Sequence, residues 1–286
     1  MLRLVVLAPL VLVAAACTAF DDDAGSGAGA DVVAAFYPLE YAAERVAGEA
    51  VGVESLAQPG VEPHDLELTI QETALIANAS VVVYEKGFQP AVDEAVDQNA
   101  TGEVLDVTGA ARLEDDDPHF WLDPLRLADV GDAIAGALAD TDPDHADTYA
   151  ENAAALREDL ERLDAAYESG LADCQRHTVV VSHDAFGYLE RYGVRVAAIA
   201  GLSPEAEPAP ADIGRLHDLI ESDGITTVFS ERLAPPELTE TLAEDAGVRT
   251  EVLDPIEGLT DETADEDYLS LMERNLRVLE EANGCR

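Results

Sequence analysis

Three histidines and one aspartate are the residues of this sequence whose types and spacing best suit chemistry. His64 lies in VEPHDLE, His119 in DDPHFWLDP, His183 in VVVSHDAFGYL and Asp254 in EVLDPIEG. Each lies where a predicted strand or apolar segment gives way to a loop. If the fold brings them together, three imidazoles and one carboxylate form a closed shell for a divalent transition metal. Imidazole nitrogens suit zinc, copper, iron or nickel, whereas calcium and magnesium prefer oxygen ligands.

Further carboxylates and histidines surround this predicted site. Asp65, Asp123 and Glu231 are expected to orient the imidazoles by hydrogen bonding, with the pairings left open. The other histidines lie at a predicted helix start, at a strand start and within a helix, and we interpret them as structural or surface residues: His145, His177 and His217.

The elements that must position these residues alternate between short β-rich runs and longer helical patterns from Asp31 onward. The sequence predicts strands at 32–36, 51–56, 80–84 and 103–107, and again at 177–182, 194–199, 227–230 and 250–253. This βα rhythm is typical of an α/β fold with mostly parallel sheets covered by helices. His183 and Asp254 directly follow predicted strands, where open parallel sheets bind their ligands.

One long helix separates the two halves. Asp142-Pro143-Asp144 is a helix start signal. After it, one apolar stripe with helical spacing comprises Tyr149, Leu156, Leu160, Leu163, Tyr167 and Leu171. The sequence therefore predicts an N-terminal α/β lobe at 31–140, a stiff connecting helix at 141–174 and a C-terminal α/β lobe at 175–286.

The N-terminal sequence predicts an export signal followed by a lipid-attachment site. Residues 1–16 contain Arg3, an apolar run too short to span a bilayer and three alanines before Cys17. This pattern resembles a bacterial lipobox, with Ala14 where leucine is usual, and it predicts acylation of Cys17. Residues 17–30 are acidic and rich in Gly, Ser and Ala, as expected of a flexible tether. The alternative is a soluble secreted protein with a disordered N-terminus.

The strong negative charge of the chain limits the kinds of molecule that it can bind. With 16 basic against 60 acidic residues the formal net charge is −44. Such a surface repels nucleic acid and anionic headgroups, keeps the protein soluble and favours a monomer. It also attracts cations nonspecifically.

The cysteine count fits an oxidising compartment. Acylation of Cys17 leaves Cys174 and Cys285, which we predict to form a disulfide, with two thiols as the alternative. In the chain-entropy model such a bridge stabilises the fold by about 4 kcal/mol.

Five blocks of this sequence resemble one protein family, the zinc- and manganese-binding solute-binding proteins of ABC importers. The blocks are PHDLELT, DPHFWLDP, SHDAFGYL, GLSPEAEP and VLDPIEG, in that order. The resemblance runs from about Val32 to the C-terminus. It implies two α/β lobes joined by a rigid helix, with metal between them and His64, His119, His183 and Asp254 as ligands. Manganese-type members commonly carry glutamate where His183 stands, which favours zinc here.

This resemblance predicts an extracytoplasmic, lipid-anchored protein without enzymatic activity, which captures Zn²⁺ and delivers it to an ABC permease in the cytoplasmic membrane. The alternative within the class is Mn²⁺ or Fe²⁺. Two alternatives from other classes are a zinc hydrolase, in which three histidines leave a position for water, and a surface adhesin. The sequence has no HExxH motif to support the hydrolase.

Overall fold

The computed structural model describes residues 32–115, 117–206 and 208–286. The predicted signal peptide, the lipid-attachment site Cys17 and the tether lie outside these residues. The described chain folds into two lobes, each with a parallel four-stranded sheet. The predicted α/β fold with two parallel-sheet lobes is confirmed.

The first sheet has the strand order β2-β1-β3-β4. Its strands are β1 (Val32–Ala34), β2 (Val53–Ser55), β3 (Val81–Tyr84) and β4 (Glu103–Asp106). The helices of this lobe are α1 (Tyr37–Ala47), α2 (Ile70–Asn78), α3 (Pro90–Asn99) and α4 (Thr108–Ala111). The central strands β1 and β3 are wholly buried, as expected of parallel strands covered by helices on both faces.

The second sheet repeats this arrangement with the order β6-β5-β7-β8. Its strands are β5 (Thr178–Val181), β6 (Arg195–Ala198), β7 (Thr227–Ser230) and β8 (Arg249–Val252). The helices of this lobe are α7 (Pro210–Asp223), α8 (Glu237–Ala246) and α9 (Tyr268–Asn283), with a 3₁₀ helix at Gly187–Tyr192. In both sheets the chain reverses its direction of progression between the two central strands, and ligands of such sheets collect beyond that point.

The predicted long helix joins the lobes, and a second helix that precedes it packs along it. The long helix α6 (Ala146–Leu171) is preceded by α5 (Pro124–Thr141) and by a 3₁₀ turn at Pro143–His145. All residues of the predicted stripe on α6 are buried. Helix α5 was not predicted, although Asp123 caps it by accepting a hydrogen bond from the Leu125 N–H and Pro124 occupies its first turn. It packs along α6, so the connection is a helical hairpin. The exact lobe boundaries stay a prediction.

A covalent bond fixes the end of this connection. Cys174, just after α6, forms a disulfide with Cys285, just after α9, across a sequence separation of 111 residues. The predicted disulfide is therefore confirmed. Helix α9 also packs on α6, where the Tyr167 hydroxyl donates to the Met272 carbonyl at 2.8 Å. The last helix of the C-terminal lobe is thus tied to the connector both covalently and by packing.

Among the residues described, we find no helix that combines the length and the apolar character needed to cross a membrane.

Candidate metal centre

The three histidines singled out in the sequence come together between the lobes. His64 lies in the loop between β2 and α2, His119 in the segment between α4 and α5, and His183 immediately after β5. The fourth member of the cluster is the carboxylate of Glu257, which follows β8. Each lobe therefore supplies two potential ligand atoms. The other three histidines lie outside the cluster.

Five of the six distances between the four ligand atoms match the edges of a tetrahedron. Glu257 Oε1 is 3.4 Å from His64 Nε2, 3.2 Å from His119 Nε2 and 3.3 Å from His183 Nε2. His119 Nε2 is 3.3 Å from His64 Nε2 and 3.4 Å from His183 Nε2. A regular tetrahedron around zinc, with bonds of about 2.0–2.1 Å, has edges of about 3.3–3.4 Å. The four side chains are thus spaced to hold one tetrahedral zinc ion.

Asp254, the expected fourth ligand, is not part of this cluster. Its Oδ2 faces the guanidinium of Arg232 at 3.1 Å, and its Oδ1 accepts a hydrogen bond from the Ile256 N–H at 2.8 Å. Asn275 further holds its backbone with bonds of 3.0 and 2.6 Å. The expectation for Asp254 is corrected on geometric grounds, because its carboxylate is directed into the turn and to Arg232 instead of the imidazoles.

The turn from Asp254 to Glu257 has a strained backbone that brings Glu257 to the histidines. Ile256 has a φ of 59°, in the left-handed region that β-branched residues avoid. Besides the bond to Asp254, the turn accepts a hydrogen bond from the Trp121 indole to the Pro255 carbonyl at 2.7 Å. Such strain persists only where surrounding contacts enforce it. Asp254 and Trp121 therefore position the carboxylate of Glu257 without belonging to the cluster themselves.

Two carboxylates orient the imidazoles through their second nitrogens. His183 Nδ1 lies 2.8 Å from Glu231 Oε1, and Ser182 donates its hydroxyl to the same oxygen. His119 Nδ1 lies 2.7 Å from Asp117 Oδ1. A hydrogen bond at Nδ1 fixes the ring so that Nε2 faces the cluster. Glu231 is among the carboxylates that the sequence analysis expects to orient an imidazole, whereas Asp117 is not.

The other two carboxylates expected near the imidazoles have different partners. Asp123 caps α5 and pairs with Arg126 at 3.2 Å and with Arg191 at 2.6 Å. Asp65 is exposed, and its backbone N–H donates to Glu62. Glu257 could have been proposed from its place three residues after Asp254, and Asp117 from its place two residues before His119. The spacing alone identifies neither Glu257 as the fourth member of the cluster nor Asp117 as the partner of His119, because both roles depend on the local backbone geometry.

The electrostatics of the metal-free cluster show strong coupling. Burial lowers the pKa of His183, but the hydrogen bonds and charges of Glu231 and Glu257 outweigh burial and raise this pKa to about 10. Burial also lowers the pKa of His119, and Asp117 and Glu257 likewise reverse that effect and raise it. Burial raises the pKa of Glu257, yet its hydrogen bonds with the three imidazoles hold it well below its usual range. A divalent cation entering the cluster must displace protons from these imidazoles.

The pKa of Asp254 is shifted in the opposite direction to that of Glu257. Burial raises the pKa of Asp254 to about 6, against the opposing effects of the Ile256 N–H and of Arg232. The carboxylate whose negative charge the imidazoles stabilise is therefore that of Glu257.

Hydrogen bonds across the cleft hold the two lobes together around the cluster. The Gly60 N–H donates to the Leu259 carbonyl at 2.6 Å, next to the segments that carry His64 and Glu257. On the other side, the Tyr188 hydroxyl donates to the Asp117 carbonyl at 2.8 Å. The cluster thus lies within a closed interface.

Comparison with known proteins agrees with this site. The family described as zinc-uptake complex component A, periplasmic, matches residues 32–282. The zinc-binding lipoprotein AdcA of Streptococcus pneumoniae is 36% identical over 276 residues, which cover 88% of this chain and 55% of AdcA. The chain therefore spans about half the length of that relative.

Solved structures resemble the whole described fold. The Zn(II)-bound ZnuA-like domain of S. pneumoniae AdcA has a TM-score of 0.77 and 36% identity, covering 88% of this chain and 98% of that domain. The laminin-binding protein Lmb of Streptococcus agalactiae, described as a bifunctional protein with adhesin and metal transporting activity, has a TM-score of 0.82 and 28% identity. That match covers 88% of this chain and 98% of Lmb. With the family match across nearly all described residues, this chain belongs to the periplasmic zinc-uptake component A family.

Proposed function

We propose that this protein is the extracytoplasmic solute-binding component of an ABC importer, which captures Zn²⁺ between its lobes and delivers it to a membrane permease. The observation that carries the proposal is the cluster of three imidazoles and one carboxylate at tetrahedral spacing. Zinc is the cargo in this proposal. The ligands are His64, His119, His183 and Glu257.

Capture and release follow from the division of the ligands between the lobes. Two ligands lie on each lobe, so a small movement of one lobe removes half of the shell at once. The helical hairpin of α5 and α6 and the disulfide limit how far the lobes can separate. We therefore expect release to use short displacements of the ligand-bearing loops, induced by the permease, instead of wide domain opening.

Attachment to the outer face of the cytoplasmic membrane is part of the proposal. It depends on acylation of Cys17 and on residues 17–30 acting as a tether. A lipid-anchored receptor remains near its permease, and the strong negative charge of the chain favours a monomer. Mass spectrometry of the membrane fraction checks the anchor, because acylation adds a mass that substitution of Cys17 by serine removes.

The alternatives differ in what the fourth ligand position holds. A zinc hydrolase keeps that position for water, whereas the carboxylate of Glu257 lies 3.2–3.4 Å from all three imidazole nitrogens and fills it. A protein without enzymatic activity follows from the proposal. An adhesin role, which is described for Lmb, requires binding to a host ligand that persists when the metal ligands are substituted. Mn²⁺ or Fe²⁺ as cargo requires tighter binding of those ions than of zinc.

The test is a competition titration of the metal-free protein with zinc and manganese against chelators of known affinity. We expect one equivalent of zinc to bind tightly and manganese far more weakly. His119→Ala is expected to weaken zinc binding by more than about 100-fold, beyond the 10–100-fold typical of outer hydrogen-bond partners. Unchanged zinc affinity in His119→Ala, or preferential binding of manganese, overturns the proposal.

A further inference from the structure

A cavity of about 400 Å³ lies beside the metal cluster, on the side of His64. Its lining comes from both lobes, with His64, Glu85 and Lys86 from the N-terminal lobe and Leu202 and Ser203 from the C-terminal lobe. His64 is the most exposed of the four cluster residues, with 10% of its side chain accessible against 0–1% for the other three. A cation that enters from solvent through this cavity therefore meets His64 before the remaining ligands.

The carboxylate of Glu85 lines this cavity and is itself almost completely buried. Its relative exposure is 2%, and its Oε2 atom has no hydrogen-bond partner. Buried polar atoms are nearly always paired, and an unpaired buried carboxylate is among the most costly groups a fold can contain. Glu85 belongs neither to the metal cluster nor to the carboxylates that orient its imidazoles.

The residues around Glu85 make its environment negative. Burial and the negative charges of Asp117, Asp106 and Asp93 raise its pKa well above its usual range. A cation that enters the cavity from solvent would offset this negative charge and would contact the unpaired oxygen.

We propose that Glu85 is the carboxylate of an access subsite in this cavity, which binds an incoming divalent transition-metal ion transiently before the ion passes to His64 and the cluster. This inference rests on the proposed zinc-binding function. An oxygen ligand that exchanges quickly is suited to strip part of the hydration shell from the ion. The imidazoles then complete the transfer, because three nitrogen ligands and Glu257 bind zinc more tightly than one carboxylate does.

The subsite is expected to act on rates more than on affinity. A group that contacts the ion only on its way in and out lowers the barrier in both directions. Substitution of Glu85 should therefore slow zinc association and dissociation by similar factors and leave the equilibrium constant almost unchanged. A residue of the cluster, by contrast, changes the equilibrium constant.

The experiment is stopped-flow mixing of zinc with the metal-free protein, using the fluorescence of Trp121. Trp121 is the only tryptophan of the chain, and its ring centre lies 5.3 Å from that of His119. We compare Glu85→Gln with Glu67→Gln, a matched control that makes the same substitution at an exposed position near His64 outside the cavity lining. We expect Glu85→Gln to slow both rates at least fivefold, Glu67→Gln to change them less than twofold, and both affinities to stay within about threefold of the native value.

Three results overturn the subsite. Equal association rates for the native protein and Glu85→Gln show that the ion does not contact this carboxylate. Equal slowing in both variants shows general attraction by the acidic surface, which rising salt concentration would remove. Unchanged rates with a lowered melting temperature in Glu85→Gln show a structural role. If the native protein binds no zinc, the proposed function itself fails, and this outcome is distinct from the other three.

Discussion

The two lobes share one architecture but use the same position in it differently. In each sheet, one of the two central strands is directly followed by a glutamate. This is Glu85 after β3 and Glu231 after β7. Glu231 contacts the Nδ1 atom of His183 at 2.8 Å and so orients an imidazole. Glu85 has no such partner for its Oε2 atom, which stays unpaired.

This difference indicates that the two lobes have different roles in zinc binding. In the C-terminal lobe His183 lies directly at a strand end, and Glu257 lies on a turn held by Asp254 and Trp121. In the N-terminal lobe His64 lies on a long loop and is partly accessible from the cavity. We expect the C-terminal lobe to contribute most to the strength of zinc binding and the N-terminal lobe to control access.

The largest expected effect on zinc affinity concerns the two acidic residues of the turn from Asp254 to Glu257. Glu257→Ala is expected to weaken zinc binding by more than about 100-fold, because it removes a carboxylate from the shell itself, whereas outer partners typically account for 10–100-fold. Asp254→Asn keeps an acceptor for the Ile256 N–H and loses only the charge that faces Arg232, so we expect less than about tenfold. Chelator competition on the metal-free variants measures both affinities.

The order of these two variants is the decisive result. A greater loss in Asp254→Asn than in Glu257→Ala would restore Asp254 as the ligand and contradict the geometry of the turn. Circular dichroism of each variant serves as the control, since a disturbed turn also loosens its hydrogen bonds to Trp121 and Asn275.

A second prediction compares the orienting carboxylates of the two lobes. Glu231→Gln is expected to weaken zinc binding by about 10–100-fold, since the amide loses the charge that stabilises the bound imidazole ring. Asp117→Asn is expected to have a smaller effect, below about tenfold, because 15% of the Asp117 side chain is accessible and water can replace the contact, against 1% for Glu231. Isothermal titration calorimetry of the matched pair measures the difference. If Asp117→Asn weakens zinc binding as much as Glu231→Gln or more, the expectation that the C-terminal lobe contributes most to zinc affinity is wrong.

The smallest expected effect is the change that Glu231→Gln makes in the pH dependence of zinc binding. The pKa of His183, about 10 in the metal-free protein, keeps this imidazole protonated at neutral pH, and zinc must displace that proton. A lower pH supplies more of the competing proton, so zinc affinity rises with pH, by about tenfold per unit for each displaced proton. Calorimetry in buffers of different ionisation enthalpy counts the released protons. In Glu231→Gln the pKa of His183 falls, and the slope above pH 7 should flatten; an identical slope would show that Glu231 does not control this proton.

Sequence reasoning predicted the fold and the three imidazoles because both depend on local patterns. The valine-rich runs that became β3 and β5 and the stripe on α6 were visible as periodicity. His183 was placed correctly after its strand. The helix α5 was overlooked although its start signals, Asp123 and Pro124, are local. Its role as the packing partner of α6 is a tertiary property.

The fourth member of the cluster could not be predicted in the same way. Asp254 follows β8 directly, as His183 follows β5, and the rule that ligands lie at strand ends favoured it. The left-handed conformation of Ile256 reverses this expectation, because it turns Glu257 toward the imidazoles and leaves Asp254 to hold the turn.

The sequence by itself determined the two-lobe α/β architecture, the three imidazoles of the cluster and the disulfide, since periodicity, residue type and cysteine count carry that information. Only the tertiary structure decided which carboxylate joins the three imidazoles, which acids contact their second nitrogens and which acid is left unpaired in the cavity beside His64. The physical reason is that carboxylates are abundant in this chain, with 60 acidic residues. Their roles depend on distances and burial between segments far apart in sequence, which no local pattern encodes.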